Sequence, residues 1–292
     1  MNPIGIIGGI GPESTIDYYR LLIEVYQQRR TDGSYPAVII NSVDLGRMIA
    51  LVSANDLASL EALLLIELER LARAGASIGL LAANTPHIVF DALQRNSPLP
   101  LVSIVETTCA AARARRFKRV GLFGTMFTMQ GGFSQHVFQR HGIEIVTPDP
   151  AEQADLHARY MGELVKGTFR AETRDRAVAI ARRLHAERGI EALILGGTEL
   201  PLLLRDATGL DLPLLDTTRI HVEHVVNLAL LEESAPSEEG PPVPGASRPA
   251  AAPSAPIPAR AVAPPEPEPV AKGAAAKPEP ARSGKSSKKR GR

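Results

Sequence analysis

The chain has one cysteine, Cys109, in 292 residues. With no second thiol there is no intramolecular disulfide framework and no multi-cysteine zinc site, and the composition suits a reducing cytosol. Long hydrophobic runs are missing too: a stretch such as Ala62-Leu63-Leu64-Leu65-Ile66 is far short of the ~20 residues that span a bilayer. The first residues, Met1-Asn2-Pro3 and then Ile4-Gly5-Ile6-Ile7, have neither the basic segment nor the length of a secretion signal. These absences predict a soluble cytoplasmic protein with no membrane partner.

Aromatic residues are absent from one region altogether. Residues 235–292 contain 14 of the 24 prolines, 10 Lys/Arg against 5 Asp/Glu, and no Phe or Tyr. Such a Pro/Ala-rich basic tail cannot bury enough apolar surface to offset its ordering entropy, and it is predicted to be disordered. Its last stretch, Lys285-Ser286-Ser287-Lys288-Lys289-Arg290-Gly291-Arg292, is basic and reads as a solvated appendage. The remaining 234 residues carry 23 basic and 27 acidic side chains. That body has no basic stripe interleaved with aromatics, so nothing in it predicts nucleic-acid binding.

What the body does contain is alternation. Short apolar runs at 4–7, 37–43, 78–82, 101–104, 119–123, 144–146, 192–195 and 212–215 read as strands, mostly continuous rather than alternating in polarity. Strands covered on both faces by helices have that pattern. Helical stretches lie between them at 15–29, with Ser14 and Thr15 as caps, and at 57–73, 175–188 and 221–231. A weak internal repeat is also visible. Gly5-Ile6-Ile7-Gly8-Gly9 is echoed by Gly121-Leu122-Phe123-Gly124-Thr125 at an offset of 116, and Leu80-Leu81-Ala82-Ala83-Asn84-Thr85 by Ile194-Leu195-Gly196-Gly197-Thr198-Glu199 at 114. Leu101-Val102-Ser103-Ile104 is echoed by Pro213-Leu214-Leu215-Asp216 near 110. The expected fold is α/β: two similar lobes with parallel sheets, related by a pseudo-twofold, with the binding site in the cleft between them.

The repeated strand ends carry the residues most suited to chemistry. Small residues at Ala82-Ala83 and Gly196-Gly197 let a ligand approach the backbone, and Asn84, Thr85 and Thr198 offer hydrogen-bond donors. The same residues also serve a plain strand-to-helix turn. The first turn, read as Gly9-x-Gly11-x-x-Ser14, lacks the third glycine of a dinucleotide site, and Pro12 removes an amide. A glycine-rich wall of a small-molecule pocket fits it better. His221-x-x-His224 has helical spacing for two metal ligands but no evident third, so it reads as a solvated or core-satisfied pair and no metal site is expected.

Four segments in order make a resemblance specific: Ile4-Gly5-Ile6-Ile7-Gly8-Gly9-Ile10-Gly11-Pro12-Glu13-Ser14-Thr15, Ala83-Asn84-Thr85-Pro86-His87, Gly124-Thr125-Met126-Phe127-Thr128-Met129 and Gly196-Gly197-Thr198-Glu199-Leu200. Over about residues 1–231 the chain resembles the aspartate/glutamate racemase family, amino-acid racemases that use neither pyridoxal phosphate nor any other cofactor. The resemblance implies lobes at 1–98 (completed by about 212–231) and 99–211, with the strands at 101–104 and 212–215 crossing between them, and a homodimer. It also implies racemisation by two thiols on opposite faces of Cα, one a thiolate and one a thiol. At those two positions this chain has Ala83 and Gly197, whose side chains cannot exchange a proton.

The resemblance further implies a small acidic amino acid or dicarboxylate as ligand, held by Gly9, Arg47, Asn84, Thr85, Thr125, Thr128, Lys166 and Thr198. Glu199 and His87, residue types the family also carries beside its thiols, are the best-placed groups to replace them. Cys109, in an Ala-rich segment, reads as a small core residue. Three functions stay open on the sequence: a racemase or related isomerase, a catalytically silent amino-acid-binding protein, and a lyase or decarboxylase on the same scaffold.

Overall fold

A computed structural model describes residues 3–205 and 207–234 of the chain. The tail expected at 235–292 lies outside the described residues. Strands β1 (Ile4–Gly8), β2 (Val38–Ser42), β3 (Ile78–Leu81) and β4 (Leu101–Val102) form one parallel sheet in the order β2-β1-β3-β4. Strands β5 (Arg119–Phe123), β6 (Glu144–Val146), β7 (Ala192–Leu195) and β8 (Leu214–Asp216) form a second in the order β6-β5-β7-β8. The repeat seen in the sequence is thus a repeat of topology: β1 and β5 are each central, flanked by the next strand on one side and the one after that on the other.

The helices are α1 (Pro12–Arg29), α2 (Leu45–Ser53), α3 (Leu57–Arg73), α4 (Phe90–Asn96), α5 (Ile104–Ala114), α6 (Met126–Gln130), α7 (Phe133–Gln139), α8 (Pro150–Gly162), α9 (Ala171–Arg188), α10 (Leu200–Leu204) and α11 (Thr217–Ser234). Three apolar clusters hold them. One faces of both sheets at once: Ile4 and Ile6 of β1, Val120 and Leu122 of β5, Ile194 of β7, and the inward sides of α1, α5 and α11. The outer face of the first sheet packs on α2, α3 and α4, and that of the second on α8, α9 and α10. Helix α3 shows why the leucine spacing matters. Leu60, Leu64, Leu68 and Leu71 form one fully buried stripe, each worth roughly 1.5–3 kcal/mol of burial.

Two expectations are corrected here. The strands at 101–104 and 212–215 do not cross between lobes: Leu101 and Val102 pair with Gly79 and Leu80 of the first sheet, and Leu214 to Asp216 pair with Leu193 to Leu195 of the second. The helices after them make the exchange. Helix α5 leaves the first sheet to pack on α7 of the second lobe, and α11 leaves the second sheet to pack on α1 of the first. Ser103 ends β4 early because its hydroxyl accepts from Glu106 N–H and caps α5. The second correction is at α1, which starts at Pro12, so Ser14 and Thr15 lie inside it rather than capping it. Their hydroxyls turn back: Ser14 donates to the Ala82 carbonyl, and Thr15 donates to the Gly11 carbonyl while accepting from Gly9 N–H. Among the described residues, no helix is long and apolar enough to cross a membrane.

Candidate active site

The turns that leave β1, β3, β5 and β7 converge on one narrow cleft. This is where an α/β sheet places its ligands, outside the carboxyl ends of the strands. Ala83, Asn84 and Thr85 line it from the first lobe, and Gly196, Gly197, Thr198 and Glu199 from the second, with Gly11 and Thr125 beside them. The two positions that correspond by repeat, Ala83 and Gly197, therefore face the same space.

Glu199 dominates the chemistry of that space. Its residue is 1% exposed, and one carboxyl oxygen, Oε2, accepts from the Tyr160 hydroxyl and from Thr198 Oγ1 at 3.3 Å. The other oxygen, Oε1, is buried without a partner. It is aimed at Gly11, where a Cβ would stand 2.5 Å from it. Gly11 also has φ +124°, so glycine is required there on both counts. Burial raises the Glu199 pKa; the Tyr160 and Thr198 hydrogen bonds oppose that rise, and the Glu13 carboxylate adds to it.

The hydroxyls near Thr85 form a closed set across the two lobes. Thr85 Oγ1 lies 3.1 Å from Thr125 Oγ1 and 3.3 Å from Thr128 Oγ1, and these last two are 3.1 Å apart. Thr125 is also the N-cap of α6, accepting from Thr128 N–H. Asn84 Nδ2 donates to Thr217 Oγ1, which itself donates to the Leu195 carbonyl. Asn84, Thr85, Thr125 and Thr198 thus line the cleft together, and Thr128 supports Thr125 from behind.

Other expected site residues lie elsewhere. Arg47 is exposed on α2, whose cleft-facing residues are Leu45, Met48, Ile49 and Val52. Lys166 is exposed at the end of a short 3₁₀ turn, from which Val165 reaches the cleft instead. No Lys, Arg or His lines the cleft among the described residues, so the expected dicarboxylate clamp is not assembled. Gly9 has φ +77° and sits against the end of β2, where a Cβ would meet Val43 N at 2.7 Å; its neighbours Ile10 and Gly11 line the cleft.

His87, expected as a partner for Glu199, is committed to the backbone. Ile104 N–H donates to its Nε2 at 3.2 Å, so Nδ1 carries the proton and donates to the Ala83 carbonyl at 3.1 Å. The ring stacks on Phe90, and burial lowers its pKa to about 3. A neutral imidazole with both nitrogens engaged ties the end of β3 to α5. His221 is held the same way: Nε2 donates to the Val102 carbonyl and Nδ1 accepts from the Tyr18 hydroxyl. His224 is exposed on the same helix. Cys109 packs in the shared core, where burial raises its thiol to about 11.

Of the cleft residues not anticipated from the sequence, one bears directly on Glu199. Tyr160, on α8, is 5% exposed and lines the cleft beside Gly197. Asp149-Pro150-Ala151-Glu152 is a capping box with Pro at the first turn, a legible helix start. It does not reveal that the third turn of that helix reaches β7.

Comparison with known proteins agrees with this architecture. The family model for Asp/Glu/Hydantoin racemase matches residues 7–225. The broad specificity amino-acid racemase RacX of Bacillus subtilis is 23% identical, covering 79% of this chain and all of that one. An aspartate racemase homologue from Pyrococcus horikoshii superposes with a TM-score of 0.67 at 33% identity, over 79% of this chain and all of that one. The aspartate racemase of Picrophilus torridus shares the fold, with a TM-score of 0.64 at 19% identity over 78% of this chain and 94% of its own. Motifs, paired lobes, cleft and family model agree: this chain belongs to the Asp/Glu/Hydantoin racemase family.

Proposed function

We propose that the cleft binds a small amino acid with an uncharged side chain and moves its α-proton, with Glu199 as the proton-transferring group. The observation that carries this reading is the buried, unpartnered Oε1 of Glu199 at the cleft wall. In this scheme the Glu199 carboxylate removes the Cα proton, and the electron pair passes into the substrate carboxylate as an enediolate. The same carboxyl, after exchange with solvent, returns a proton to Cα. Asn84, Thr85, Thr125 and Thr198 supply hydrogen-bonding groups for the substrate's carboxylate. Ala83 offers no acid or base from the other lobe, so exchange should outpace inversion.

The uncharged side chain follows from the walls. Leu45, Met48, Ile49, Val52, Phe127, Met161 and Val165 line the cleft, an environment in which a second carboxylate would have no cation to pair with and would face Glu199. Methionine, leucine, aspartate and glutamate, each as both enantiomers, would be incubated with the protein in D₂O and the α-proton followed by NMR. Faster exchange with methionine or leucine is expected. Faster exchange with aspartate or glutamate would overturn the side-chain assignment, and no catalysed exchange with any of them would overturn the reaction.

A further inference from the structure

The glycine at 197 is matched to a particular tyrosine. A Cβ built on Gly197 would lie 2.7 Å from the Tyr160 hydroxyl oxygen and 2.8 Å from its Cζ. No such approach is tolerated, so any side chain at 197 must displace the phenol. The phenol therefore stands in the space that the absent side chain would take. From there its hydroxyl donates to Glu199 Oε2. We propose that Tyr160 is the positioning residue for Glu199, that its phenol fixes the carboxyl so that Oε1 is held unpartnered against Gly11 in the cleft wall, and that Gly197 leaves the space that admits it.

The inference deepens the proposed function and rests on it for its meaning, but it is testable without any activity. The groups facing Glu199 are Tyr160 from α8, the Thr198 hydroxyl beside it, and the Glu13 carboxylate from α1. Among these, Tyr160 and Thr198 donate hydrogen bonds that favour the ionised carboxylate, while Glu13 opposes it. Tyr160 is itself buried, and its own pKa is raised well above 10, so it stays a neutral donor across the working range.

The experiment is a ¹³C NMR titration of protein labelled at glutamate carboxyls, with the Glu199 signal assigned by its loss in Glu199→Gln. Tyr160→Phe keeps the ring and removes the donor, and it should raise the Glu199 midpoint by about one to two units, the worth of a hydrogen bond to a charged group. Gly197→Ala should raise it as well, by pushing the phenol away, and should add nothing further in the Tyr160→Phe background. A midpoint unmoved by Tyr160→Phe would overturn the proposal, and so would shifts from the two substitutions that simply add. Should Gly197→Ala fail to fold, Tyr160→Phe decides alone. In the exchange assay, a coupled midpoint without any α-proton exchange would leave the Tyr160–Glu199 pair standing and remove the proposed reaction.

Discussion

The two lobes end their third strands in matching places and with opposite chemistry. After β3, Ala83 gives its carbonyl to His87, and His87 in turn receives the amide of Ile104, so both ring nitrogens are engaged by the backbone. After β7, Gly197 is bare, Tyr160 fills the space beside it, and Glu199 keeps one oxygen unpartnered. The two halves share a topology but differ at these strand ends: one buries a satisfied imidazole, the other a carboxyl with an oxygen left over. A strongly shifted pKa therefore marks no function by itself. His87 is lowered by burial with both nitrogens satisfied, whereas Glu199 is raised by burial with an oxygen left over.

Several substitutions would break or sharpen that contrast. Glu199→Gln should cost the largest effect, about a hundredfold or more in α-proton exchange, with little change in unfolding midpoint. His87→Ala should do the reverse. It leaves the Ile104 amide and the Ala83 carbonyl unpaired in the core and should cost about 2–4 kcal/mol in a urea titration, while the folded fraction still exchanges protons. Ala83→Cys places an ionisable group on the empty side and should raise the ratio of inversion to exchange, measured by chiral chromatography beside NMR. Gly197→Cys, which must displace Tyr160, should lower exchange instead.

Stability should depend on pH through the two buried histidines. His87 and His221 both have folded pKa values lowered to about 3, below the ~6.5 of an unfolded chain. Between those values the unfolded state binds the extra protons. Their contribution is therefore complete above about pH 6.5 and is lost as pH falls toward 3, by up to ~1.4 kcal/mol per pH unit for each histidine. Glu199 has a raised pKa and works the other way, favouring the folded state as pH falls through its own range. Urea midpoints from pH 7 to pH 4 on wild type and a His87 variant would separate the two signs. The smallest effect belongs to Arg47→Ala, expected within about 0.5 kcal/mol of wild type and without consequence for ligand binding, since Arg47 is exposed outside the cleft.

Much of this fold was legible in the sequence because the signals were local. Continuous apolar runs gave β5, β6 and β7 to the residue, leucine spacing gave α3, and the offset near 115 foretold two sheets of one topology. The exchange of α5 and α11 between lobes was not legible, since which sheet a helix packs on depends on contacts between separate elements, α5 with α7 and α11 with α1, that no local pattern encodes. The site divided along the same line. Asn84, Thr85, Thr198 and Glu199 belong to motifs, and all four line the cleft. Tyr160 reaches Glu199 across 39 residues of chain, and no spacing rule points to it. Arg47 and Lys166 have the right charge for a carboxylate, but α2 turns Leu45, Met48 and Ile49 to the cleft, and the 3₁₀ turn turns Val165.

In the proposed scheme proton transfer is one-sided. It is tested most directly by incubating a single enantiomer of methionine with the protein in D₂O and comparing, in the same tube, the rate of deuterium entry at Cα with the rate of appearance of the opposite enantiomer. Deuterium is expected to enter the starting enantiomer well before inversion is seen, with no deuterium entry in Glu199→Gln. Inversion that keeps pace with exchange from either enantiomer, or exchange that survives Glu199→Gln, would contradict it.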